Sequence, residues 1–410
     1  MKRRNYIFTV CILCAFCFTA CAKERPSPKN KLTAGAVKTD LVPRYNIYVE
    51  NSGSMDGYVK AGGTTFQNAV YSFLNDIHDG KLDKSMGLNF MINEKIAPYQ
   101  FDIQKYILKM TPSAFMQIRG GINSSEISVM LKNVLDRVND KNVNIWISDC
   151  VFTPKPGDSP TAYLGFEKTA IKSSFKQLLN KGEYATVVLE LMSNYNGIYC
   201  NRTINHDRPY YIWIVGKENY IKAMFDKIPL STFVGGGVKN FYSLSNNKSS
   251  VKYIIMGAPN YRLATSNPKH QIVNARRIQA GPNAGMFQFS IGLNLKESLL
   301  GVDDSYVLDV TNYSITSAAN YTIEIKKNTS GKGTYTHILK LTSPTLKAGD
   351  VKISLNNNLP GWVTELNTNN AGALTPNDRF KTFGIKTLIE GVKEAYGNQP
   401  FFETNISVTN

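Results

Sequence analysis

One carboxylate and two hydroxyls between residues 50 and 54 have the types and spacing that suit binding chemistry. Glu50 ends the apolar run Tyr45-Asn-Ile-Tyr-Val, and Asn51-Ser52-Gly53-Ser54-Met55 follows. An acid at a strand end, then a turn through two serines separated by one glycine, can gather oxygen atoms around one point. Oxygen donors suit a hard cation such as Mg²⁺ or Mn²⁺. Without a cation, the same residues make a polar turn after a strand.

Such a cluster needs a rigid frame. Candidate strands are Tyr45–Glu50, Leu88–Ile92, Val143–Ser148, Ala185–Met192 and Tyr210–Val215. They are continuous apolar or β-branched runs, the pattern of strands covered on both faces. Between them, Phe66, Ala69, Val70, Phe73, Leu74 and Ile77 recur with the helical period. So do Ile127, Met130, Leu131, Val134, Leu135 and Val138, and a shorter set of Ile221, Met224, Phe225 and Ile228. Each stripe needs a sheet to cover. The alternation predicts an α/β fold with a doubly wound, mostly parallel sheet, whose ligands bind at the carboxyl ends of the strands.

The run Glu50-Asn51-Ser52-Gly53-Ser54 resembles the first metal-site motif of von Willebrand factor A domains, Asp-x-Ser-x-Ser at the end of the first strand. That resemblance implies two further pieces. A hydroxyl residue is expected just before a helix, and Ser125 in Gly120-Gly-Ile-Asn-Ser-Ser125-Glu-Ile127 takes that position. An aspartate is expected at the end of a central apolar strand, and Asp149 closes Val143-Asn-Ile-Trp-Ile-Ser148. The implied metal set is Glu50, Ser52, Ser54, Ser125 and Asp149. It would leave a coordination position of Mg²⁺ or Mn²⁺ open to a carboxylate from a protein partner. Two residues depart from the family pattern: Glu50 stands for Asp and reaches one methylene further, and Ser125 stands for Thr. Asn123-x-x-Glu126 also reads as a capping box for the following helix. The resemblance covers residues 44–257.

The start of the chain reads as a processing segment. Lys2, Arg3 and Arg4 precede the apolar stretch Tyr6–Phe18, and Phe18-Thr-Ala-Cys21 follows. This order resembles the lipobox of bacterial lipoproteins, with residues 1–20 as signal peptide and Cys21 as the lipidated residue; the alternative is an ordinary signal peptide cut near Ala20 or Ala22. A lipid there would tether the protein to a membrane in the cell envelope. Residues 21–43, rich in Lys, Pro, Ser and Thr, read as a flexible tether. The formal net charge of +16 favours acidic partners, but the charges are scattered and no nucleic-acid module is visible. Past the signal segment and Cys21, only Cys150 and Cys200 remain. In an oxidising compartment they either form a disulfide or stay as two buried thiols.

Past residue 270 the texture changes to short strand-like runs separated by Gly, Asn, Ser and Lys. Residues 270–376 read as a β-sandwich of immunoglobulin-like character. An amphipathic helix is expected over 377–397, with Ile385, Leu388, Ile389, Val392 and Tyr396 as its apolar stripe. Catalytic signals are thin. His78, His206, His270 and His337 show no zinc spacing, and the serine motif lacks the Gly-x-Ser-x-Gly elbow. The function expected is a non-enzymatic envelope lipoprotein that binds a protein partner. The alternatives are an envelope hydrolase using the same polar cluster with His206 nearby, and a glycan-binding sandwich in which Trp362 stacks on sugar.

Overall fold

The computed structural model describes residues 42–247, 251–295, 304–330, 333–370 and 378–410. The signal segment, Cys21 and the tether up to Leu41 lie outside the described residues.

The N-terminal half is a mixed seven-stranded open sheet in the order β3-β2-β1-β4-β6-β5-β7. Its strands are β1 (Arg44–Glu50), β2 (Gly87–Ile92), β3 (Lys95–Tyr99), β4 (Asn142–Ser148), β5 (Ala185–Tyr199), β6 (Arg202–Gly216) and β7 (Val238–Ser245). β1 is central and parallel to both β2 and β4. The remaining pairs, β2–β3, β4–β6, β6–β5 and β5–β7, are antiparallel. The expected parallel arrangement therefore holds for β2, β1 and β4. It gives way where β5 and β6 form one long hairpin closed by Cys200 and Asn201, which both take positive φ.

Helices cover both faces, as the continuous apolar strands require. On one face lie α1 (Thr65–Asp79), α2 (Ile103–Leu108), α3 (Pro112–Arg119) and α6 (Glu218–Lys227), sharing a core with Ile47, Val49, Ile145 and Ile147. On the other lie α4 (Ile127–Asp136) and α5 (Pro160–Leu179), around Trp146 and Trp213. The stripes expected for α1 and α4 are buried, Val138 just past the end of α4 included. α1 starts at Thr64, whose hydroxyl accepts from the Gln67 amide at 3.1 Å. α4 starts differently from expectation. Its N-cap is Glu126, without a side-chain cap, and Asn93 Oδ1 accepts the Glu126 N–H at 2.5 Å. The Asn123–Glu126 capping box is not formed, because β2 and β3 bring Asn93 to that helix end instead.

The C-terminal half contains two small sheets with the orders β12-β15-β18-β10-β9 and β13-β14-β11-β8. They are built from β8 (Lys252–Ile255), β9 (Arg262–Leu263), β10 (Gln271–Val273), β11 (Phe287–Asn294), β12 (Tyr313–Thr316), β13 (Thr322–Lys327), β14 (His337–Ser343), β15 (Gly349–Leu355) and β18 (Phe402–Val408). Phe289, Ile291, Leu339 and Leu341 from one sheet meet Ile272, Ile353, Phe402 and Ile406 from the other in one core. Three segments outside the expected span of 270–376 join these sheets: β8 pairs with β11, β9 pairs with β10, and β18 pairs with β15 and β10.

Between β15 and β18 the chain leaves the sandwich. It runs through α8 (Gly361–Glu365), the short pair β16 (Asn367–Thr368) and β17 (Thr382–Phe383), and α9 (Ile385–Tyr396); the short helix α7 (Asp304–Leu308) lies earlier in the chain, ahead of β12. The expected helix 377–397 thus begins only at Ile385. β17 precedes it, and Gly384 turns the chain at φ +83°, where a Cβ would stand 2.5 Å from the Phe152 ring. The stripe Ile385, Leu388, Ile389, Val392 and Tyr396 is buried against α5 and the large sheet. Lys168 pairs with Glu390 at 3.0 Å and Glu394 at 2.6 Å, and Lys172 pairs with Glu394 at 2.8 Å, along the α5–α9 contact. Among the described residues no helix is long and apolar enough to cross a membrane.

Candidate functional site

The register of the two parallel central strands builds the site. Val49 lies opposite Ile147, so the next residues, Glu50 and Ser148, fall side by side at the carboxyl end of the sheet. The Ser148 hydroxyl donates to Glu50 Oε2. Asp149 follows Ser148, and its Oδ1 accepts the Val151 N–H at 3.3 Å. Ser125, just before α4, is buried with its hydroxyl close enough to Glu50 to favour the carboxylate form. Ser52 does the same for Glu50, and Ser54 for Asp149. The Ser52 and Ser54 hydroxyls are 3.1 Å apart. All five predicted residues therefore converge. Glu50, Ser52, Ser125 and Asp149 are buried, and Ser54 is partly exposed.

The loop that carries the two serines is held rigidly. Arg119, the last residue of α3, is buried and donates to the carbonyls of Asn51 and Ser52 at 3.3 and 3.1 Å. Its guanidinium also makes a two-pronged pair with Asp56, at 2.7 and 2.8 Å. Such a fork fixes both partners' planes. Gly53 N–H donates to the Asn123 carbonyl at 3.1 Å, which ties this loop to the one bearing Ser125.

The distal half of the β5–β6 hairpin curls over the loop. Tyr195 meets Tyr58 edge-on at 4.8 Å. The Tyr58 hydroxyl donates to the Pro209 carbonyl at 2.6 Å. A Cβ on Gly197 would lie 2.6 Å from Gly57 Cα, and one on Gly57 would lie 2.2 Å from the Tyr195 ring. Gly197 is needed because the Gly57 backbone passes against it, and Gly57 because the Tyr195 ring lies over it.

Two buried carboxylates with few donors raise each other's affinity for protons. Burial, then the charge of Asp149, pushes Glu50 up to about 7, against the pull of Ser148, Ser52 and Ser125. Burial also raises Asp149, opposed by Ser54 and by the nearby Arg208 guanidinium. Arg208 is itself fully buried. It donates to the carbonyls of Arg379 and Lys381 at 2.7 and 3.1 Å, and its guanidinium carbon lies 3.4 Å from the Tyr199 ring centroid. Glu50 Oε1 and Asp149 Oδ2 are buried and accept no hydrogen bond. Buried oxygens without a donor are uncommon, so these two mark where the site could take up a further donor or a cation. Among the described residues no three His, Cys, Asp or Glu gather, so the candidate donor set is two carboxylates with hydroxyls.

Other expectations change. Cys150 and Cys200 are both free thiols. Cys150 is buried in the core shared by α4 and α5, where its sulfur accepts the Trp213 indole N–H at 3.3 Å. Cys200 packs against the core on the opposite face of the sheet. The sheet itself separates them, so of the two alternatives the pair of separate thiols is the one found, with Cys200 only half-buried. His206 is half-buried, faces its neighbour's Asp207 carbonyl at 3.0 Å and lies tilted against the Phe380 ring, and it is bonded to none of the serines. Sequence reasoning missed Ser148, Arg119 and Asp56 altogether.

Comparison with family models, curated proteins and solved structures finds no match. The reading of the site rests on its own geometry.

Proposed function

We propose that the chain is a membrane-tethered binding protein whose α/β half is A-domain-like and carries a divalent cation at the carboxyl edge of its sheet. One observation supports this above the rest: the orphaned oxygens of Glu50 and Asp149 face a cluster of serine hydroxyls in a buried setting. Glu50, Ser52, Ser54, Ser125 and Asp149 would hold Mg²⁺ or Mn²⁺. The bound ion would supply an open coordination position for a carboxylate of a protein partner. Ser54 and Gly53, partly exposed, mark the side from which that carboxylate approaches. The doubly wound description of the large sheet and the immunoglobulin-like description of the sandwich belong to this same proposal.

The test is thermal unfolding of residues 22–410 with chelator, Mg²⁺ or Mn²⁺. Saturation to about 100 times Kd adds ~2.7 kcal/mol to stability. Ser54→Ala and Asp149→Ala are expected to abolish the gain. A wild-type protein indifferent to both ions would overturn the reading. The tether belongs to the same proposal and follows from Cys21 at the lipobox-like position. Cys21→Ala is expected to move the protein from the membrane fraction to the soluble fraction on extraction without detergent. Retention in the membrane fraction would count against lipidation at that residue.

A further inference from the structure

Between Asp226 and Glu297 the chain carries no carboxylate side chain. The middle of that stretch folds into one hairpin at the edge of the sandwich. β9, the last strand of its sheet, pairs with β10 through Arg262–Val273 and Leu263–Ile272. The Asn260 carbonyl accepts the Arg276 N–H at 2.8 Å and prolongs the pairing. Four cations are thereby held on one hairpin: Arg262 on β9, Lys269 in the turn, and Arg276 and Arg277 just past β10. Segments this short keep them within roughly 25 Å of one another. All four are exposed, and among the described residues none of them takes part in an ion pair. Strand pairing brings two anions toward the hairpin, Asp350 through Ser407 and the carboxylate of Asn410 through Thr409, and neither pairs with these cations.

The base of the hairpin is fixed. Tyr261, Ile272 and Ala275 are buried in the sandwich core. Thr409 N–H donates to the Ile272 carbonyl at 2.9 Å, and Ala275 N–H donates to the Thr409 carbonyl at 3.0 Å. On the other sheet, the Tyr253 hydroxyl of β8 meets His270 Nδ1 in the turn, with the two rings edge-on at 5.4 Å. Protection of an edge strand against pairing with another chain accounts for Arg262. It does not account for Lys269, Arg276 and Arg277, which lie off that strand.

We infer that this hairpin is a docking surface for the anionic face of a lipid bilayer. The choice of partner rests on the membrane tether proposed above. Residues 22–41 separate Cys21 from the fold. At no more than about 3.5 Å per residue they keep the fold within roughly 70 Å of a lipid on Cys21. Confinement raises the effective concentration of lipid phosphates, so a purely electrostatic surface suffices. One lipid anchor and a polybasic patch together hold a protein firmly to an anionic membrane. None of the four cations lines the cavity of about 350 Å³ beside Tyr261, so they face outward as a planar array of headgroups requires, and not into a cleft for one small anion.

The test is sedimentation of lipid-free protein, residues 22–410, with vesicles of phosphatidylglycerol and phosphatidylcholine. Binding is expected in about 50 mM NaCl, release in about 500 mM, where screening reaches only a few ångströms, and no binding to phosphatidylcholine alone. Arg262→Gln, Lys269→Gln, Arg276→Gln and Arg277→Gln together are expected to weaken binding about a hundredfold or more, at about fivefold per cation. If that variant has a lowered Tm, the pairs Arg262/Lys269 and Arg276/Arg277 carry the test, each expected to lose about tenfold. A control with the same net charge changes the exposed Lys84, Lys109, Lys141 and Lys181 to Gln and is expected to keep most of the binding. Because no lipid is attached, the result is independent of the anchor, and the Cys21→Ala fractionation in about 500 mM NaCl reads the anchor alone. No binding to the anionic vesicles, an equal loss in the control, or capture by heparin without binding to vesicles would each overturn the assignment.

Discussion

Arg208→Ala is expected to lower the unfolding free energy by about 3–5 kcal/mol, the range found when one partner of a buried charge cluster is removed. The side chain is fully buried and does three things at once. It supplies the positive charge that opposes the rise of the Asp149 pKa. It donates to the carbonyls of Arg379 and Lys381, just ahead of α9. It stacks on Tyr199, whose hydroxyl in turn donates to the Lys381 carbonyl at 3.1 Å and accepts the Phe383 N–H at 2.8 Å. Alanine would leave a cavity, an unanswered Arg379 carbonyl and a buried Asp149 without its nearby positive charge. Arg208→Met separates these causes, since it keeps most of the volume and loses the charge. Its urea midpoint is expected to fall below that of the wild type, and further at pH 8 than at pH 5, because the Asp149 carboxyl that the guanidinium favours in its charged form is held above its usual range by burial and is ionised to a greater extent at the higher pH. A methionine variant with the wild-type midpoint at both pH values would show that the charge contributes nothing.

Arg208 also marks the limit of what could be read from the residues alone. The five candidate ligands were legible because each ends a strand or begins a helix. Periodic apolar runs set those boundaries, and the parallel register of β1 and β4 then brings their ends together. The second half of the hairpin was not legible. Ser193-Asn-Tyr-Asn-Gly197 contains residues depleted in strands, and the candidate strand stopped at Met192. What makes it a strand is tertiary. Tyr195 covers Tyr58, and the Gly57–Gly197 contact admits the close approach. With the hairpin unseen, Arg208 reads as a loop residue.

The same reasoning explains the C-terminal half. The strand texture announced a sandwich, and the apolar stripe from Ile385 to Tyr396 announced a helix that needs a surface. Neither could announce that β10 pairs with β18, more than a hundred residues later. Short strands carry too little local pattern to name a distant partner. The cysteines illustrate a related gap. Their order along the chain puts both near the carboxyl edge of the sheet, but each sits just past a strand end at positive φ, where the turn and not strand alternation decides the face, and Cys150 and Cys200 fall on opposite ones.

In chelator, the wild-type protein is expected to lose stability as pH rises from about 4.5 to about 7. The sign follows from Glu50, whose folded-state pKa is raised from 4.5 to about 7 by burial and by Asp149. Between those values the folded chain holds a proton that the unfolded chain has released, so the contribution is complete below 4.5 and lost as pH passes 7. The scale is on the order of 3 kcal/mol. Glu190, also raised to about 7 by burial, acts in the same window. Glu394, lowered to about 2 by Lys168 and Lys172, acts below it, where stability is lost as pH falls. The Glu50→Gln variant isolates the site, because Glu190 is common to both proteins. In chelator at pH 8 it is expected to be more stable than the wild type, since a buried charge is replaced by a neutral group of the same shape. With Mn²⁺ at pH 8 the order should reverse: the cation stabilises the ionised wild-type pair, and the glutamine site binds it weakly. The gain from Mn²⁺ should also shrink as pH falls below 7, where protons compete for Glu50. Unfolding curves of the two proteins at pH 5 and 8, each with chelator and with Mn²⁺, decide the matter. A Glu50→Gln variant less stable than the wild type in chelator at pH 8 would mean that the glutamate charge is already satisfied by its neighbours and that no cation is needed there.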